Sequence, residues 1–266
     1  QLFLRDRSLL YESYKAPMSE RTSYLIMLIS IPILWVVVKF ISGFPDFLLP
    51  SPTLVAQALW ADRLMLVQHT WTTIVEAMVG YVIANALAIA LAISFLYLPW
   101  FESLAIPWTV VIKNVPFVTI ASILIITLGD TPAPKIIIVV LITFFPILAN
   151  VTKGLKSTDS VLLDRMKTLN ASQWQIFSKV RWPSALPYYI AAHEIAFTGS
   201  IIGAIVAEWL FARKGLGYLI VQSMTQYRAD RLYAVTLLAS VLAVGAYILV
   251  KVIEQRLFRW QTSEIT

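Results

Sequence analysis

Cysteine is absent from the 266 residues, which excludes disulfides, cysteine-ligated zinc and thiol catalysis. Charge is scarce as well: Asp, Glu, Lys and Arg make up 14% of the chain, against roughly a quarter in soluble domains. No glycine-rich loop ends in Gly-Lys-Ser/Thr, so ATP is not bound here in the P-loop manner, and neither HExxH nor GxSxG occurs. The only two histidines are His69, near a loop, and His193, beside Glu194. They suggest no two-histidine metal site, and His193 reads as a hydrogen-bonded packing residue.

Apolar side chains fill the space that charge leaves. Hydrophobic residues are 59% of the sequence and the mean hydropathy is +0.76, which places the chain among polytopic membrane proteins. Six runs are long enough to cross about 30 Å of hydrocarbon: approximately 24–41, 70–98, 103–128, 133–152, 187–210 and 232–254. Without the alternation of a barrel strand they are helices, so the expected fold is all-α with about six spans. The net charge of +6 does not point to nucleic acid, because the basic residues fall in ends and loops where membrane topology accounts for them.

The expected organisation is an amino-terminal arm, 1–23, and one transmembrane domain, 24–266. The arm carries Arg5, Arg7, Lys15 and Arg21, and the other end Lys251, Arg256 and Arg259, which predicts both termini in the cytoplasm. The first apolar run is not followed by a clear small-residue cleavage site. Arg213, Lys214, Arg228 and Arg231 then fall on the extracytoplasmic side, against the usual bias, so a role in meeting a partner or attracting a solute is expected of them.

The most informative stretch is the polar segment 153–182. Lys153, Lys156, Arg165, Lys167, Lys179 and Arg181 face only Asp159 and Asp164 there, so it is cytoplasmic. Val161, Leu162, Leu163, Met166 and Leu169 give the run from Ser160 to Leu169 one apolar face on a helix too short to span. Ser172 precedes Gln175 at capping-box spacing, so a second short helix starts at Ser172. Two helices joined at Asn170–Ala171 predict a compact knuckle on which a soluble protein docks.

Polar residues inside spans come next, because burying charge in lipid is costly. Glu194, Thr198, Ile201, Ile205 and Glu208 follow a 4-3-4-3 spacing and share one helical face. That face is expected to line a translocation pathway, unless the two carboxylates are merely solvated or paired with Arg213 or Lys214. Glu76 and Asn85, nine apart, fall on opposite faces. Gly199 and Gly203 have the small-xxx-small spacing of close helix packing. Pro99, Pro107, Pro116, Pro132, Pro134 and Pro146 invite kinks.

The string LLDRMKTLNASQWQIFSKVRWPSALPYYIAA, before the penultimate span, resembles the EAA loop of ABC-importer permeases. The resemblance extends through LPSPT (Leu49–Thr53), the blocks NVPFVTIASILII and LGDTPAPK (Asn114–Lys135), FFPILANVTKGL (Phe144–Leu155) and GAIVAEW…GLGYLI (Gly203–Ile220). Within that superfamily the chain is most similar to the nitrate/sulfonate/taurine group, which includes permeases for pyrimidine precursors. The resemblance implies a type I importer permease in the bacterial cytoplasmic membrane. It also implies ATPase subunits that hold ATP and magnesium, a second permease of the same or a homologous chain, and an extracytoplasmic solute-binding protein. It assigns ATPase coupling to Asp164, Arg165, Met166, Leu169, Asn170, Ala171, Ser172, Gln175 and Lys179. Asn170 stands where the family usually has Gly, and Arg165–Met166 where it has two alanines. The resemblance further implies a small polar or anionic solute, such as nitrate, a sulfonate, taurine, bicarbonate or a heterocyclic vitamin precursor. An ion-coupled carrier using Glu194 and Glu208 as relay groups is the competing reading of the residues.

Overall fold

The structure, a computed structural model, describes residues 20–257. The expected arm up to residue 19 and the basic end around Arg259 lie outside the described residues. Among those described, all regular structure is helical. The order is α1 (Glu20–Ser42), α2 (Pro52–Ala61), α3 (Arg63–Tyr97), α4 (Pro99–Asn114), α5 (Phe117–Leu128), α6 (Pro132–Lys156) and α7 (Ser160–Thr168). Then come α8 (Gln173–Ile176), a π-helical turn (Phe177–Arg181), α9 (Trp182–Phe211), α10 (Leu216–Thr225) and α11 (Ala229–Leu257).

Four helical stretches are long and apolar enough to cross a membrane: Arg63–Tyr97, Pro132–Lys156, Gln173–Leu210 and Ala229–Arg256. The pair α4–α5, bent by 88° at its break, makes a fifth when taken as one span. The first of the six expected runs, 24–41, falls within α1, a helix of 23 residues.

Proline marks these boundaries more than it kinks helices. Pro99 and Pro132 occupy first helical turns, where the missing N–H is not needed. Pro52 opens α2 behind Ser51, whose side chain accepts the Leu54 N–H at 3.4 Å. Pro107 and Pro146 lie inside continuous helices. Only Pro116 coincides with a sharp bend, because it follows Val115 in extended backbone, as a residue before proline prefers.

The core is a three-helix seam of α3, α6 and α9. Ala77, Gly80, Ala84, Ala88 and Ala92 recur along one face of α3 and are buried, giving a groove shallow enough for α6 to lie close. A Cβ on Gly80 would stand 2.6 Å from Val139 Cβ. The α9 side repeats the device: a Cβ on Gly203 would meet Ile142 at 2.9 Å. The Gly199–Gly203 spacing therefore serves packing within the protomer. Leu148, Val151 and Leu155 of α6 close the centre against Ala185, Ala192 and Ala196 of α9. At one end of this seam sits the α7–α8 knuckle, and at the other α10 folds back over α9 and α3.

Candidate functional site

The knuckle forms for local reasons. Asp159 caps α7 through the Val161 N–H at 2.9 Å. At the other end Asn170 adopts φ +55°, the left-handed region that asparagine tolerates best after glycine. The Ala171 N–H reaches Met166 O at 3.0 Å and the Asn170 N–H reaches Lys167 O at 2.9 Å, the paired bonds of a Schellman turn. Two residues on, Ser172 Oγ accepts the Gln175 N–H at 3.3 Å while Gln175 Oε1 accepts the Ser172 N–H at 2.8 Å, so the expected capping box is complete.

The second short helix is not a separate element. From α8 the chain passes through the π-turn into α9, and Gln173–Leu210 forms one 38-residue stretch, about 57 Å long at 1.5 Å per residue. The span expected to begin at 187 thus reaches into the knuckle. A π-turn keeps the helical hydrogen bonding going while shifting register, which periodicity in the sequence does not reveal.

On the knuckle's outer surface Val161, Leu162, Leu169 and Trp174 are exposed, beside the exposed Asp164, Arg165, Gln175 and Lys179. Met166 and Ala171 are half-buried. Lys167 pairs with Asp164 at 3.0 Å. Ile176 is buried beneath the knuckle, and Arg181 donates to Leu155 O at 3.2 Å, tying the knuckle to the end of α6. Lys156 of α6 is ion-paired with Glu102 of α4.

A row of rings leads inward from this surface. Trp174 stacks on Phe177 (centroids 5.8 Å apart), Phe177 meets Trp182 (6.1 Å), Trp182 meets Tyr189 (5.6 Å), and Tyr189 stands edge-on to His193 (4.1 Å). There the row crosses to α3. The Tyr81 hydroxyl and His193 Nδ1 are 2.7 Å apart, and Asn85 Oδ1 accepts from the Tyr189 hydroxyl at 3.3 Å. His193 is thus the hydrogen-bonded packing residue expected. Trp174 and Tyr81 carry no spacing signal in the sequence, and Trp182, which reads there as an aromatic near a span end, stands between Phe177 and Tyr189 instead.

The face expected to line a pathway is turned inward. Ile201 is buried with Ala77 and Val139, Glu208 has no exposed surface, and Glu194 pairs with Lys251 of α11 at 2.5 Å. The outward stripe of α9 is instead Ala191, Ile195, Ile202 and Trp209. Helical spacing established that the first five share a face. It could not say which way that face points, because polar residues turn inward in a membrane protein.

Glu208 contacts neither Arg213 nor Lys214. Its Oε2 accepts the Gly217 N–H at 2.9 Å and the Thr73 hydroxyl at 3.0 Å. Thr73 Oγ1 in turn accepts the Leu216 N–H at 2.9 Å, and His69 Nδ1 accepts the Gly215 N–H at 2.9 Å. Three consecutive N–H groups opening α10 are thus satisfied by α3 and α9.

The basic residues of the same end are mostly compensated. Arg231 pairs with Asp62 at 2.7 Å. Arg228 holds Asp230 through two bonds, at 2.8 and 2.7 Å, which raises its guanidinium above the usual range. Arg213 reaches Asp130 at 3.5 Å while staying exposed, and among the described residues Lys214 makes no ion pair.

A profile of the family described as "Binding-protein-dependent transport system inner membrane component" matches residues 84–259. A probable ABC transporter permease protein of Haemophilus influenzae is 31% identical over 80% of this chain and 87% of its own. A formylaminopyrimidine transport permease protein of Halalkalibacterium halodurans is 30% identical over 95% of this chain and 99% of its own. Among solved structures, inward-facing MetNI, a methionine ABC transporter, superposes with a TM-score of 0.57 at 18% identity, over 76% of this chain and 96% of that one.

Proposed function

This chain belongs to the family of binding-protein-dependent transport system inner membrane components, and from that membership we propose that it forms one half of a paired pore driven by ATPase subunits docked on its knuckle. It is a multi-pass component of the cytoplasmic membrane, the transport part of an ABC importer and not its ATPase. Membership also sets aside the ion-coupled carrier, and the inward, paired positions of Glu194 and Glu208 agree.

The observation that carries the coupling role is the knuckle itself, with apolar side chains exposed on a rigidly capped turn at the end of a 38-residue helix. Val161, Leu162, Leu169 and Trp174 fit a cleft of a partner, and Asp164, Arg165, Gln175 and Lys179 rim it. The knuckle end faces the cytoplasm, as its lysines and arginines favour. The partner ATPase holds ATP and magnesium, and its closure moves α7. Because α8 runs through the π-turn into α9, that displacement travels along one rod, with the ring row bracing the rod against α3. The outward stripe of α9 faces a second permease, identical or homologous, across the pathway. At the opposite end Arg213 and Lys214 meet the solute-binding protein. The solute is a small polar heterocycle precursor, a reading supported by likeness to the formylaminopyrimidine permease along nearly the whole chain.

Purification from native membranes in mild detergent tests the class. A P-loop ATPase recovered at one copy per permease is expected, and its absence even after crosslinking at Lys167 and Lys179 overturns the docking role. Trp182→Ala tests the row of rings. It leaves the docking surface intact but opens a gap between Phe177 and Tyr189, so uptake per ATP hydrolysed should fall several-fold, a loss of about 1 kcal/mol in coupling. An unchanged ratio in proteoliposomes would remove the row from the mechanism.

A further inference from the structure

Two carboxyl groups lie side by side at the far end of the seam, and nothing in the transport mechanism uses them. Glu76 of α3 is 5% exposed and Glu208 of α9 is 0% exposed, and Thr73, one turn before Glu76 on α3, donates to Glu208 Oε2 at 3.0 Å. Glu208 Oε1 and Glu76 Oε2 are both buried without a partner. As carboxylates, both groups can only accept, so each would leave an oxygen unsatisfied and two like charges would adjoin in a medium of low dielectric.

The cations nearby do not resolve this. Lys135 Nζ is engaged by Asp130 Oδ1 at 2.6 Å and by Thr131 O at 3.0 Å. Arg213 reaches the same aspartate from the exposed rim. Lys214 is exposed, and His69 spends Nδ1 on the Gly215 N–H and stacks on Tyr218 of α10. Asp130 therefore engages both Lys135 and Arg213, and the glutamate pair is left with two oxygens facing no donor.

We propose that Glu76 and Glu208 form a proton-binding site, in which a single proton taken from solvent is held on Glu76 and donated to Glu208. The hydrogen bonds assign the proton. Glu208 Oε2 already accepts two donors, from Thr73 and Gly217, which favours the ionised form. Glu76 accepts no comparable pair, so it carries the O–H and supplies the donor that Glu208 Oε1 lacks. The proton thereby pins α3 to α9 directly beneath the first turn of α10. Separation of α3 from α9 would break that bond and release the proton, so the site reports on the seam as well as holding it.

Infrared spectroscopy of the purified full-length chain in an ester-free detergent reads the proton directly. At neutral pH the expected result is a protonated-carboxyl C=O band that shifts when the protein is labelled with 13C-glutamate. It should lose one carboxyl's intensity in Glu76→Gln. That variant keeps a donor toward Glu208 and should hold the wild-type thermal midpoint, while Glu76→Ala lowers it. Absence of a glutamate-dependent band in the wild-type chain would overturn the site with no variant needed, and so would a band of full intensity in Glu76→Gln.

Discussion

Asn170→Pro is expected to cut solute uptake by at least roughly tenfold, the scale of about 1.4 kcal/mol or more, while the chain still inserts and binds its partners. Proline holds φ near −65°, whereas Asn170 sits at +55°, so the Schellman turn cannot form around it. The substitution also deletes the Asn170 N–H bond to Lys167 O. It further disfavours the helical conformation of Leu169 before it. These penalties fall on an exposed turn remote from the α3–α6–α9 seam, so global stability should change little and the loss should appear as uncoupling. ATP hydrolysis should persist without responding to solute. Asn170→Gly supplies the control in the opposite direction. It removes the left-handed penalty of an L-residue, about 1 kcal/mol, and should preserve or tighten coupling. Uptake and hydrolysis measured together in proteoliposomes decide the matter. Wild-type coupling in Asn170→Pro would mean that the orientation of α7 does not matter.

The knuckle was legible because its signals are local. A Ser and a Gln three residues apart, a left-handed-tolerant Asn after a short apolar helix and a surplus of lysine and arginine each act over a few residues, and each appears in the structure where the sequence put it. What failed involves direction or distance. The face containing Ile201 and Glu208 was correctly assembled by spacing, yet it turns toward α3 and α6 because the small side chains of those helices leave room there. Arg231 reads as uncompensated in the sequence because its aspartate lies on another element, whereas the partner of Arg228, Asp230, is only two residues on. Asp62 is 169 positions from Arg231. The continuity of α8 with α9 was hidden by a π-turn, whose extra residue per turn breaks the 3.6-residue pattern that periodicity relies on.

Those distant pairings also explain how the basic residues at the end opposite the knuckle are accommodated. Arg231 and Arg228 bridge the α2–α3 junction at Asp62 to the start of α11. Their charge is cancelled within the protomer, so it adds little to the loop asymmetry that orients the chain. Lys214, exposed and unpaired among the described residues, retains a field that can act on a partner.

The most damaging small change should be Gly217→Ala, which adds one methyl group. Gly217 lies in the first turn of α10, pressed against the last turns of α9. A Cβ there would overlap the carbonyl oxygen of Ile205, with Trp209 N at 2.6 Å and Glu208 Cβ at 2.8 Å. Two of those obstacles are helix backbone and cannot swing aside. The remaining relief is to lift α10, and that strains the bonds from Gly215, Leu216 and Gly217 to His69, Thr73 and Glu208, the last two of them buried. It also opens the contact of Leu216 and Leu219, both fully buried. Overpacking of this kind costs about 1–3 kcal/mol, and each buried polar group left unsatisfied costs about 1–3 kcal/mol more. Loss of even one of the three bonds therefore brings the total to about 2–6 kcal/mol, a large share of the stability of a typical domain. Gly217→Ala should accordingly reduce recovery of monodisperse protein severely and lower the thermal midpoint of what remains. Gly245→Ala is the matched control, since no atom lies within 4 Å of its added Cβ. An alanine inside α11 should be neutral or stabilising by about 0.5–1 kcal/mol. If both variants ran alike in size-exclusion and thermal unfolding, the first turn of α10 would not be clamped between α3 and α9 as its hydrogen bonds require.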